Sequence, residues 1–187
     1  MTHRTELLQM QERAYIPGTI ACRDNTYFFY EEESDDILPL QSLEGREMEI
    51  YFHQEWYKGK ATSSPELQLT FGPYYFQDGD KVRLKKSLPY AFDQMLSTLE
   101  DQWFFAFATH LNELGFSIYD CIYCYNQALF LEGAEERKGV SFFHFDNEEY
   151  TCAVQHHFER GETASLDRFE FTTSLSKRRV LISRNLA

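Results

Sequence analysis

Residues 87–115 read SLPYAFDQMLSTLEDQWFFAFATHLNELG, and the fold class turns on them. Phe92, Met95, Leu96, Leu99, Trp103, Phe107, Leu111 and Leu114 recur at the three-and-four spacing that gathers an apolar stripe on one side of a helix. Ser87 and Pro89 open the stretch and Gly115 closes it, matching what helix starts and stops prefer. The pattern predicts one long helix, with Asp101 as the start of a second if the chain bends. Phe104, Phe105 and Ala108 widen the apolar face, so this helix has to be covered on two sides.

Upstream the texture is different. A short helix is expected after Thr5, over Glu6 to Arg13, with Thr5 as its N-cap. Short β runs then follow at Gly18–Cys22, Tyr27–Tyr30, Glu47–Phe52, Tyr57–Ala61, Leu67–Phe71 and Lys81–Lys85, separated by turn signals such as Asp24-Asn25, Gly72-Pro73 and Asp78-Gly79-Asp80. Many short strands at this spacing favour a small barrel or rolled sheet, because closure removes exposed edges. Trp56-Tyr57-Lys58-Gly59-Lys60 and Asp78-Gly79-Asp80-Lys81-Val82-Arg83-Leu84 resemble SH3-type barrels.

Downstream, residues 116–131 are almost uniformly apolar. Ser117 and Asp120 have capping-box spacing, and Ile118, Cys121, Ile122, Tyr125 and Leu129 would share a helical face, so a buried second helix is expected. Val140–Phe145, Tyr150–Phe158, Arg168–Thr173 and Arg178–Ile182 then read as an antiparallel meander. The fold class is α+β. Residues 1–86 are expected to form a short helix plus a small SH3-like β-barrel. Residues 87–187 are expected to form an α+β domain with one long helix, a second helix and the meander.

Composition narrows function more than it identifies it. Aromatics make up 17% of the 187 residues, enough to fill a core and argue against global disorder. Lys plus Arg number 18 against 30 Asp plus Glu, a formal charge of −12, and both halves are acidic when the chain is split at Lys86. Bulk charge therefore disfavours nucleic acid, and a protein is the expected partner. No apolar run approaches the roughly 20 residues of a membrane span. No export signal is visible, so a reducing cytoplasm is expected, with thiols or metal ligands rather than disulfides at the cysteines.

Cys121 and Cys124 form a C-x-x-C pair. Free cysteine is among the most buried residue types, so core packing is the preferred reading and no cofactor is expected. The alternatives are a redox pair or zinc, with Cys152 and His144 completing a metal set if the hairpin register puts them on one face. His156-His157 is a doublet whose side chains leave a strand on opposite faces. No carboxylate and nucleophile can be assembled around either, and no phosphate-binding glycine loop or nucleophile elbow is present, so enzymatic activity is disfavoured. Lys81-Arg83-Lys85-Lys86 and Lys177-Arg178-Arg179 run against the overall charge. Trp56, Tyr57, Tyr74 and Tyr75 are the candidate binding residues, since such aromatics anchor interfaces. The leading expectation is a non-enzymatic binding or adaptor protein.

Ser117-Ile118-Tyr119-Asp120-Cys121-Ile122-Tyr123-Cys124-Tyr125-Asn126 resembles a bacterial family of unknown function, as do Val154-Gln155-His156-His157-Phe158 and Asp167-Arg168-Phe169-Glu170-Phe171. That resemblance implies no activity, cofactor or site residue.

Overall fold

The computed structural model describes residues 3–34, 36–131, 137–161 and 164–186. It is mixed α+β, mostly strand, and divides into two compact units: Ala14–Lys86, and the residues up to Arg13 together with those from Ser87 onward.

In the first unit eight antiparallel strands form one sheet: β1 (Tyr15–Arg23), β2 (Thr26–Glu31), β3 (Ile37–Pro39), β4 (Glu47–Phe52), β5 (Glu55–Ala61), β6 (Glu66–Leu69), β7 (Gly72–Tyr75) and β8 (Lys81–Lys85). Their order is β3-β2-β1-β8-β4-β5-β6-β7, so the first and last strands pair at the centre and two arms extend from them. Asp24-Asn25 and His53-Gln54 take positive φ at both central turn residues, the hairpin geometry that matches strand twist. One hydrophobic cluster takes Ile20, Phe29 and Leu40 from one arm and Leu67, Leu69 and Phe76 from the other. The sheet therefore curls around a single core. Gly18 permits this locally, because a Cβ there would lie 2.3 Å from the Tyr30 carbonyl oxygen and 2.5 Å from the Phe29 ring. Among the described residues β3 and β7 do not pair with each other, and no closed barrel results. Strands β3 and β7 escaped the sequence reading, β7 because Gly72-Pro73 looks like a turn.

In the second unit the expected long helix is two. Helix α1 (His3–Met10) begins two residues before the expected cap at Thr5. Helix α2 (Tyr90–Thr98) and helix α3 (Asp101–Glu113) are separated by Leu99 and Glu100, both extended. Arg4 stabilises the break: its guanidinium donates to the Leu96 and Leu99 carbonyls at the end of α2, ion-pairs with Asp101 in the first turn of α3, and lies 4.8 Å over the Phe104 ring. Helix-end carbonyls that would otherwise be orphaned thus find a cation. Gly115 ends α3 at φ +89, where a Cβ would come within 2.1 Å of the Tyr150 hydroxyl.

The buried helix expected over residues 116–131 is not formed. Ser117 and Asp120 do make the capping box, but it closes a single 3-10 turn at Ile118–Asp120. Arg13 grips the Asp120 carboxylate at 2.8 and 2.7 Å. The chain then enters strand β9 (Cys121–Tyr125) and a second 3-10 turn, Gln127–Phe130. Cys-Ile-Tyr-Cys-Tyr is rich in aromatic and β-branched residues, and a free edge on β10 lets it pair. With β10 (Arg137–Asp146), β11 (Thr151–Arg160), β12 (Ala164–Thr173) and β13 (Arg178–Leu186) it makes a five-stranded antiparallel sheet in the order β13-β12-β11-β10-β9. The meander is as expected, each strand longer than its apolar run. Phe92, Phe107 and Leu111 from the helices pack with Phe143, Phe145, Phe169 and Phe171 on one sheet face. Among the described residues no helix is long and apolar enough to cross a membrane.

Candidate functional site

Three groups of residues carry chemistry worth building up: the cysteines, the aromatic surface of the curled sheet, and a buried histidine.

Two residues three apart on a regular strand point to opposite faces. Cys121 and Cys124 nevertheless share the core side, because β9 bulges: Cys124 pairs with Phe143, Tyr123 with His144, and Cys121 with Phe145, leaving Ile122 as the extra residue. Cys152 pairs with Phe145 from the opposite strand and is fully buried, so Phe145 lies between Cys121 and Cys152. His144 is one residue off this row, exposed, and edge-on to Tyr123 on the other face. The zinc set proposed from sequence is therefore divided between two sides of the sheet. Among the described residues no three His, Cys, Asp or Glu side chains gather as a metal site would need. Burial pushes the thiols of Cys121 and Cys124 up to about 12 and that of Cys152 up to about 11. Neutral thiols are poor nucleophiles and poor ligands.

Of the four candidate aromatics, Tyr57 and Tyr74 turn toward the core of the curled sheet and pack around Phe52. Trp56, their neighbour in sequence, is on the outer face, cross-strand from Tyr51 with ring centroids 5.1 Å apart. Tyr75 is exposed on β7. The Arg83 guanidinium lies 4.4 Å from the Trp56 ring and 4.3 Å from the Tyr15 ring. It donates to Glu49, whose other oxygen accepts from the Tyr15 hydroxyl at 2.8 Å. Burial and the Glu49 charge push the Tyr15 phenol far above its ordinary range. Trp56 remains 39% exposed on this locked platform. Beside it, burial raises Glu47, but Lys58 and Lys85 outweigh that and hold its carboxyl below the usual value.

The third group was not assembled from sequence. On β11 and β12 the core-facing positions run His156, Phe158, Arg160 and Asp167, Phe169, Phe171. His156 is 2% exposed and stacks on Phe169 at 4.2 Å and 11°. Its Nε2 is 2.7 Å from Asp167 Oδ1, which also accepts from Arg160 at 2.7 Å. Burial lowers His156 against the opposing pull of Asp167. Burial acts to raise Asp167, but hydrogen bonds from His156 and Arg160 win and hold it below the ordinary carboxylate value. An ionised Asp167 fixes Nε2–H as donor, which leaves Nδ1 as a lone-pair acceptor. Nδ1 has no partner among the described residues. The signal for this site was Asp167 itself, an inward charge two residues before the alternating Phe169 and Phe171; the sequence reading began that strand at Arg168 and left it outside.

The second basic cluster is engaged as well: Arg178 ion-pairs with Glu170, and Arg179 with Glu113 at 2.8 Å.

Comparison with known proteins adds kinship rather than chemistry. An "Uncharacterized protein YisN" of Bacillus subtilis (strain 168) is 33% identical over 180 residues, covering 95% of this chain and 90% of that protein. No solved structure matches. A family model described as "Protein of unknown function (DUF2777)" matches residues 2–183, so the chain belongs to that family, in keeping with the resemblance carried by the Ser117–Asn126 stretch.

Proposed function

We propose that this chain is a non-enzymatic binding protein, and that Ala14–Lys86 is an SH3-like contact module whose outer face meets an acidic, extended segment of a protein partner. The observation that carries the reading is Trp56, held half-exposed by Arg83 in an arrangement already fixed by Tyr15 and Glu49. Aromatic and arginine side chains held rigid before contact are what interface anchors require, because little rotamer entropy remains to be lost. The pairing of the first strand with the last and the single core shared by both arms support the SH3-like reading.

Charge supports the partner class. On a molecule of formal charge −12, this face gathers Lys58, Lys60, Lys81, Arg83 and Lys85 against Glu47 and Glu49. An acidic segment bearing an apolar anchor is complementary to it. A long polyphosphate is less well suited, since the formal charge of −12 carried by the molecule as a whole opposes an extended polyanion more than a short acidic segment confined to this face.

The test is a fluorescence titration of a Trp103→Phe variant, whose remaining indole is Trp56, with short synthetic peptides carrying leucine or proline between aspartates. A saturable change that is lost in Arg83→Gln is expected. No response to any acidic peptide, or a response to single-stranded oligonucleotides alone, overturns the proposal.

A further inference from the structure

The buried histidine borders a cavity of about 120 Å³ in the second unit. Its polar lining is Thr98 from α2, Arg137 at the start of β10, His156 and Arg160 from β11, and Asn126, whose amide is already engaged by Ala91, Ala128 and Ser141; Met95, Ala128, Leu129 and Phe158 supply apolar wall. Three observations converge on it. His156 is almost wholly buried, yet among the described residues its Nδ1 has no hydrogen-bond partner, and a buried acceptor left unmatched is costly. The Nε atom of Arg137 is likewise buried and without a partner among the described residues. Finally, Arg137 and Arg160 are directly opposed in the β10–β11 ladder, a like-charge pairing that destabilises a sheet unless something offsets it. Asp167 offsets Arg160. No carboxylate among the described residues is ion-paired with Arg137.

A site whose Arg137 guanidinium is paired with no described carboxylate, next to a neutral imidazole acceptor, asks for two things in one ligand, an anion and a hydrogen-bond donor. Volume limits its size. The cavity is somewhat smaller than the roughly 150 Å³ that accommodates benzene, which leaves room for about five or six heavy atoms. The apolar wall favours a carbon skeleton over an inorganic ion. We propose that this cavity binds a short hydroxycarboxylate, with the carboxylate on Arg137 and the hydroxyl donating to Nδ1 of His156. Thr98, whose hydroxyl already donates to the Met95 carbonyl at 2.7 Å, keeps lone pairs available to a second donor. Among the described residues the nearby Ser141 hydroxyl is occupied by Asn126 and by the Gln127 amide, so it is not free to act as a nucleophile. This inference stands apart from the aromatic face of the other unit.

The experiment uses the full chain labelled with ¹⁵N-histidine. Glycolate, lactate, acetate and inorganic phosphate are titrated while the Nδ1 resonance of His156 is followed. Glycolate or lactate should move that resonance saturably. Acetate, which lacks the hydroxyl, should bind about tenfold more weakly, and Arg137→Gln should weaken glycolate by about tenfold or more, the scale of one charge-assisted hydrogen bond. Arg137 is only partly buried and its replacement relieves the like-charge pairing with Arg160, so the melting temperature of Arg137→Gln should not fall below the parent value, which separates lost binding from lost folding. The proposal is overturned by no saturable change at tens of millimolar glycolate and lactate, by equal binding of acetate, by tighter binding of phosphate than of either hydroxy acid, or by an Arg137→Gln protein that binds as the parent does.

Discussion

The two sheets of this protein meet the same demand by different means. A sheet with one apolar face must cover it. The eight-stranded sheet does so with its own arms, which curl until Ile20, Phe29, Leu67 and Leu69 share one core. Its charges are left outside, where Glu49 and Glu47 pair them off. The five-stranded sheet is covered instead by α2 and α3, whose phenylalanines fill the space over Phe143, Phe145, Phe169 and Phe171. At the β11–β12 end, where Met95 and Thr98 of α2 border the cavity, the inward positions turn polar and hold His156, Arg160 and Asp167. Self-covering thus yields a decorated exterior, and borrowed covering yields an interior corner with unmatched groups.

That contrast can be broken most sharply at the cores. Phe107→Ala should cost about 3–5 kcal/mol, the usual range for a fully buried phenylalanine, and Phe29→Ala should cost a similar amount. Each unit contains one of the chain's two tryptophans, Trp56 and Trp103. Urea unfolding of Trp103→Phe and Trp56→Phe backgrounds should show Phe107→Ala shifting the Trp103 transition and sparing that of Trp56. Coincident shifts of both would show that the two coverings are not independent.

The interior corner should come next in size. Asp167→Asn removes the charge that holds Arg160 and orients His156, at an expected cost of about 1.5–3 kcal/mol. Its pH behaviour follows from the shifts. His156 is lowered on folding, so near and below its ordinary value of about 6.5 the unfolded chain binds the extra proton and stability falls as pH drops. Asp167 is also lowered, so its contribution is present above the ordinary carboxylate value and is lost in more acidic solution. Denaturation midpoints measured between pH 7.5 and 5 should decline in the parent and flatten over that window in His156→Phe. An unchanged slope would remove His156 from the account.

The exterior should respond least. Trp56→Ala gives up a half-exposed ring and one cation–π contact, about 0.5–1 kcal/mol by chemical denaturation. The cysteines supply a kinetic comparison. With thiols raised to about 12 and about 11, Cys121, Cys124 and Cys152 should alkylate far more slowly in native protein at pH 8 than after unfolding. Peptide mass mapping checks this, and rapid native labelling of Cys121 and Cys124 would sink their reading as core side chains.

Much of this architecture was legible in the sequence, and the failures have physical causes. The alternation of Met48, Ile50 and Phe52 with Glu47, Glu49 and Tyr51 marks β4 to the residue, because one face enters the core while the other is polar, with Glu49 buried there by its ion pair with Arg83. The stripe from Phe92 to Leu114 marks a helical region and offers Asp101 as the start of a second helix, where α3 does begin, but it leaves open whether the chain bends there, since Arg4, some 92 to 97 positions away, supplies the contacts that favour the break. Cys121–Tyr125 has no usable period, because a bulged edge strand next to a helix layer places residues three apart on one side, as a helix would. The site suffered most: His156 and Asp167 sit on different strands, and only the hairpin register brings them together.

The clasp of Arg13 on Asp120 has a consequence for the order in which the protein is made. The two residues are 107 positions apart, so at about 5–20 residues per second the first helix leaves the ribosome some 5–20 s ahead of its anchor. In that interval Ala14–Lys86 emerges whole, with every strand of its sheet already translated. The helix that precedes the curled sheet in sequence thus docks after that sheet has been translated, and a nascent chain stalled before Asp120 would carry all eight strands of the sheet behind a helix still waiting for its place.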